Sequence, residues 1–287
     1  MLNTNRHSIM LAEQENLAKA QQTAAEQTVA DFQRDLEERY EIPIFLEYGL
    51  VTASCAGMAR PYWEQRTKVL RHSIAMAPRA PWFLPQVLAH ELTHIQLECE
   101  ANTAGRRKTH CQLPASIKKV LGYCDPTKRG DKDLLKSLFS YSLNVPVDLV
   151  VESRLQRRFP VLAPAQFVSA HRFEEKNEEN YPATLNWDVS PRLRLAYDAL
   201  TAVHSLFVDR TMAGGVRHFD RFSGHPAGDL AIKLYAEFQT YLDHNPEPDA
   251  HYLLVNRFAE LIELRGLHDW LPQPIFELKD IYHISNT

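Results

Sequence analysis

The segment Val87-Leu88-Ala89-His90-Glu91-Leu92-Thr93-His94-Ile95 sets two histidines four residues apart, with a glutamate directly after the first. On an α-helix, positions i and i+4 stack on one face, so His90 and His94 can aim imidazole nitrogens at a single ion. Glu91 is rotated by about 100° from His90, close enough to reach a water on that ion without being a ligand. The chemistry this pattern predicts is zinc-assisted hydrolysis, with Glu91 as general base. Chance yields such an H-E-x-x-H string about 0.04 times in a chain of this composition, so the match is informative. The apolar neighbours Val87, Leu88, Leu92 and Ile95 suit a buried helix, and a dry surround strengthens the pull of a metal on its water.

These residues resemble the zincin metallopeptidases, over roughly residues 41 to 160: a small sheet, the H-E-x-x-H helix, then a later helix able to supply a further ligand. A catalytic zinc takes three protein ligands and keeps one position open. Leu97 and Glu100 stand where an H-E-x-x-H-x-x-G-x-x-H continuation would need glycine and histidine, which excludes the metzincin class. Glu98 and Glu100 lie too far along the same helix to complete a tetrahedral site. Glu152 is the expected third ligand: it is flanked by Val150, Val151 and Leu155, and a bound cation would offset the desolvation of its carboxylate. The pattern then looks like the gluzincin branch, in which a glutamate on a later helix completes the site. That resemblance implies a supporting role for Asp148, one turn earlier on the same face, as acceptor of the second ring N–H of a ligating histidine. Asp148 and Glu152 could exchange these roles.

A tetrahedral oxyanion would need a donor beside the metal, for which Tyr141, His171, Tyr181 and His204 are candidates; Tyr141 and His204 also fit apolar helical patterns and read as core. The strand-like run 67–76, just ahead of the metal helix, resembles the edge strand against which zincins lay an extended substrate.

The elements that must position these groups follow from periodicity. Residues 8–40 carry apolar side chains at helical spacing without a breaker and predict one long amphipathic helix. Three strand-like runs, 41–48, 53–62 and 67–76, predict a small mixed sheet. Helix resumes at Pro85 and runs to about Asn102. Residues 105–131 are basic and loop-rich and read as a solvated connection. Helices are predicted at 131–142, 146–158, 164–179, 190–211, 228–243 and 250–264, and the acidic run Glu174, Glu175, Glu178 and Glu179 reads as a wet helix end. The expected fold is α+β: a zincin-like metallopeptidase domain over 1–160 and an all-helical extension over 161–287.

Composition narrows the setting. The chain has 287 residues, 45% hydrophobic and 24% charged, enough for a substantial core. Only 10 glycines are present, and no GxGxxG, GxxxxGK[ST] or GxSxG motif occurs, which argues against nucleotide-binding and serine-hydrolase loops. A net charge of -4 supplies no basic field for nucleic acid. No signal-like or membrane-spanning apolar run is apparent, so a cytoplasmic protein without membrane attachment is expected. Its four cysteines, Cys55, Cys99, Cys111 and Cys124, read as reduced thiols; a secondary metal cluster of Cys99, His110, Cys111 and Cys124 has irregular spacing. The functional expectation is a Zn²⁺-dependent metalloprotease acting on a protein or peptide substrate, narrow or regulated in its action, with room for a regulatory protein partner. The alternative is a non-catalytic, zinc-stabilised interaction protein acting through its helical C-terminal part.

Overall fold

The computed structural model describes residues 2–48, 57–64, 69–77, 79–111, 114–184, 187–212, 216–244 and 247–272. Two helices open the chain, α1 (Leu2–Ala20) and α2 (Gln22–Tyr40), where a single helix was expected; they are separated at Gln21, whose ψ of 1° departs from the helical value. Val29, Phe32 and Leu36 form the buried stripe of α2.

Three strands follow, β1 (Ile44–Tyr48), β2 (Gly57–Glu64) and β3 (Val69–Met76), in the order β1-β3-β2. β3 pairs parallel with β1 and antiparallel with β2. The sheet is therefore mixed, as expected, but its antiparallel edge is β2 and not the run 67–76. The reason lies in burial. His72 to Met76 are buried at every position, the pattern of a central strand covered on both faces, whereas β2 contains Pro61, and proline, having no N–H to donate, suits an edge strand.

Helix α3 (Leu84–Thr103) begins with a proline in its first turn, where no intrahelical donor is needed, and ends before Gly105, whose φ of +66° suits the left-handed turn that stops it. The basic stretch beyond it is more structured than a solvated connection. β4 (Lys108–Cys111) pairs with β5 (Asp269–Pro272) at the far end of the chain, and α4 (Pro114–Leu121) follows. Arg107 is buried on Glu98, while Arg106 and Lys108 face Asp249, so this positive charge is met from within the protein. The Cys99, His110, Cys111 and Cys124 grouping, disfavoured by its spacing, falls partly on side chains outside the described residues; Cys99 and Cys124 are free thiols, and burial raises the Cys99 pKa to about 12.

α5 (Asp131–Arg158) is one continuous helix with Pro146 inside it, where two helices were expected. It has the length and mean hydropathy of a membrane span, yet half of that window is buried within the protein, as in a core helix. Helices α6 (Ala163–Thr184), α7 (Pro191–Thr211), α8 (Pro226–Asp243) and α9 (Ala250–Leu261) complete the C-terminal half, with a short 3-10 helix at His218–Phe222. The chain is thus α+β and mostly helical. One apolar cluster runs from Ala25 to Leu267, across the division anticipated at residue 160. Within it α3 packs against α2, the sheet and α5, so the helix bearing His90 is held on three sides.

Candidate metal centre

His90 and His94 lie one turn apart on α3 and are half-buried between fully buried Ala89, Leu92 and Ile95. Their Nε2 atoms are 3.1 Å apart. The carboxylate that meets them is that of Asp148, whose Oδ1 lies 3.1 Å from His94 Nε2 and 3.6 Å from His90 Nε2. Glu152 stands on the other side of His90: its Oε1 is 2.7 Å from Nδ1. The positions expected for the two carboxylates are therefore interchanged. Both project from one face of α5, but the packing of α5 across α3 brings the shorter, earlier side chain to the nitrogens that converge and leaves the later one behind the ring.

The donor set fits a zinc-class cation. Bonds of about 2.0–2.1 Å in a tetrahedron put donor atoms roughly 3.3 Å apart, and the three separations here are 3.1, 3.1 and 3.6 Å. Glu152 accepts the Nδ1 hydrogen of His90, which fixes the tautomer whose Nε2 lone pair faces Asp148 and His94. Gln166 of α6 in turn holds Glu152, donating to its backbone carbonyl at 2.9 Å and to Oε2. Burial acts to raise the pKa of Asp148, but the hydrogen bonds and charges of His90 and His94 outweigh it and hold the carboxyl well below its usual range. Burial likewise opposes protonation of His90, and Asp148 and Glu152 together overcome it, so a cation at Nε2 would take the place of a proton there. Asp148 is thus kept in the ionised form that binds a cation.

No family model, curated protein or solved structure matches this chain. What the centre can do has to be read from its own groups.

A cavity of about 170 Å³ adjoins the centre, lined by His90, Asp148 and Glu152 on one side and by Tyr141, His204 and Phe207 among others on the remaining walls. His204, anticipated as core, is a wall of this cavity. Its Nδ1 lies 2.6 Å from Oε1 of Glu174, whose Oε2 accepts from Ser205 and Arg221. Glu174 is fully buried, so the start of the acidic run is no wet helix end: three donors compensate its carboxylate inside the protein. Burial alone would lower the pKa of His204; the Glu174 hydrogen bond and the charges of Glu174, Asp148 and Glu152 outweigh it and raise it. With Nδ1 committed to Glu174, Nε2 is the nitrogen left to serve the cavity, and it carries a hydrogen when the ring is protonated, the form these carboxylates favour.

Of the other oxyanion candidates, Tyr141 also lines the cavity and its hydroxyl lies 3.3 Å from Thr201 Oγ1. Tyr181 packs edge-on against Phe222, and His171 belongs to a separate histidine group. Glu98 is engaged by Arg107 and Glu100 by Arg154, so neither turns to the histidines.

Glu91 is buried where α3 meets the sheet edge. Its Oε2 accepts the Ala59 N–H of β2 at 2.7 Å, and Glu91 is not among the residues lining the cavity. A β-carbon on Gly57 would stand 2.8 Å from Oε1 and 2.9 Å from Val87 Cγ1, so only glycine lets β2 approach α3 this closely.

Proposed function

We propose that this protein is a zinc-dependent metallopeptidase built on a zincin-like core, with Asp148 as the third protein ligand beside His90 and His94. The observation that carries this reading is the meeting of His90 Nε2, His94 Nε2 and Asp148 Oδ1 at tetrahedral separations, with Glu152 behind the first histidine. A purely local H-E-x-x-H coincidence would not bring with it a carboxylate from a helix more than 50 residues away. A zinc ion held by this set would polarise a scissile carbonyl and acidify a water beside it.

The remaining steps fall to the chain's own residues. Glu91 adjoins His90 in sequence and, on turning its carboxylate from Ala59 N–H to the cavity, would take the proton of the attacking water and pass it to the leaving nitrogen. His204, fixed at Nδ1 by Glu174, offers Nε2–H to the oxyanion when its ring is protonated. The apolar cavity wall of Val145, Phe207 and Met212 suits an apolar side chain of the substrate.

One observation favours a second reading, a zinc-stabilised protein without hydrolytic activity. Glu91 is already engaged by Ala59 N–H, outside the cavity, as a structural carboxylate would be. Cleavage of an unfolded protein and of a mixed peptide library, by zinc-replete protein, by chelated protein and by Asp148→Ala, separates the two. Metallopeptidase activity predicts cleavage by the zinc-replete form only. Zinc binding without cleavage of any substrate would overturn it in favour of the second reading.

A further inference from the structure

A second histidine group lies where α1 crosses α6. His7 of α1, His171 of α6 and His218 of the 3-10 helix are 7%, 0% and 1% exposed. One ring nitrogen from each lies within 4.8 Å of the others. Every ring is anchored at its opposite nitrogen by an acceptor: His7 Nε2 by Glu175 Oε1 at 3.1 Å, His171 Nε2 by the Met212 carbonyl at 3.1 Å, and His218 Nδ1 by Glu178 Oε1 at 2.8 Å. Carbonyls and carboxylates only accept, so these are the nitrogens that carry hydrogen.

The nitrogens left over are Nδ1 of His7, Nδ1 of His171 and Nε2 of His218. Two of them face each other at 2.8 Å, and the third has no hydrogen-bond partner among the described residues. Lone pairs turned toward one another in a buried space repel unless something positive lies between them. A shared proton bridges two nitrogens and leaves His7 Nδ1 orphaned. A metal ion satisfies all three.

We propose that His7, His171 and His218 form a second metal site, separate from the His90 centre, that takes a divalent ion of the zinc class. Three imidazoles suit zinc, copper, nickel or iron, and carboxylates behind two of the rings are the usual support of histidine ligands. The role of the ion is structural. α1 is also docked by a small apolar cluster of Ala18 with Trp82, Ala165 and Val168 and by the pairing of Glu15 with Arg172, and a three-point bond to α6 and the 3-10 helix would fasten its N-terminal turns. Glu178 also pairs with Arg221 at 3.1 Å, which ties the site to the Glu174 network.

The test counts zinc equivalents bound by chelator-stripped full-length protein, with Co²⁺ absorption as a spectroscopic check. His7→Ala/His218→Ala is expected to bind one equivalent fewer than wild type, whether or not the His90 centre fills. His90→Ala/His94→Ala is expected to keep the equivalent that the first variant loses, so failure of this site and failure of the proposed catalytic centre give different patterns. Should His218→Ala unfold the chain, His7→Gln and Glu178→Gln serve instead, the latter weakening zinc at this site by roughly 10–100-fold. Zinc should also raise the melting temperature of His90→Ala/His94→Ala. An unchanged zinc count in folded His7→Ala/His218→Ala would overturn the proposal, as would a proton-only titration of the cluster without metal uptake.

Discussion

Oε1 of Glu152 lies 2.7 Å from Nδ1 of His90, on the side of the ring turned away from the Nε2 that meets His94 and Asp148. The glutamate is thus set to orient a ligand, and the aspartate one turn earlier to be one. Glu152→Gln should weaken zinc binding by about 10–100-fold, because the amide still fills the space but supports the ring less strongly. Asp148→Ala removes a donor outright and should weaken it further. Isothermal titration of both variants checks the order; a greater loss in Glu152→Gln would return Glu152 to the role of third ligand.

That choice marks the limit of what was legible in the sequence. His90 and His94 are related by helix periodicity alone, so their convergence follows from local spacing. Asp148 and Glu152 are also one turn apart on one face, but which of them reaches Nε2 depends on how far α5 slides along α3, a tertiary quantity with no local signature. Pro146 read as a helix start because proline suits a first turn; α5 runs through it while packed against α3, α7 and α9. Pro61 did carry a readable sign that β2 is the edge strand. The acidic run on α6 hid its role because solvated glutamates are common, yet His171, Glu174, Glu175 and Glu178 fall at helical spacing and could have been read together. The pairing of β4 with β5 joins segments more than 150 residues apart and left no trace in the pattern of either.

Glu91→Gln should keep zinc affinity while lowering peptide hydrolysis by about 10²–10⁴-fold, the usual contribution of a positioned base. Gly57→Ala provides an independent probe. Its new methyl group would press on Glu91 Oε1 and Val87, so it should impair hydrolysis more than zinc binding. Activity in Glu91→Gln equal to wild type would remove Glu91 from the reaction.

His204 reaches the cavity wall with its other nitrogen secured by Glu174. His204→Ala should lower kcat by about 10²–10³-fold with zinc content unchanged, the pattern expected when a transition-state donor is lost. Glu174→Ala should be worse for the fold: it takes the carboxylate from buried His204 and leaves Arg221 only Glu178 as an ion partner, and should destabilise the protein by about 1–3 kcal/mol. Denaturant unfolding and steady-state kinetics on the two variants separate the contributions.

His72 of the central strand has both ring nitrogens buried without a hydrogen-bond partner among the described residues. Burial first, and the nearby Arg107 charge second, lower its pKa from 6.5 to about 4. Above pH 6.5 the ring is neutral both folded and unfolded and stability is unaffected. As pH falls from 6.5 toward 4, the unfolded chain takes up the proton while the folded one resists it, so stability drops, by at most ~1.4 kcal/mol per pH unit from this group. Over the whole window the loss approaches ~3 kcal/mol. Urea unfolding at pH 7 and pH 5 should therefore show a shallower decline in His72→Leu than in wild type. Equal declines would mean that His72 finds a partner for its proton in the folded state.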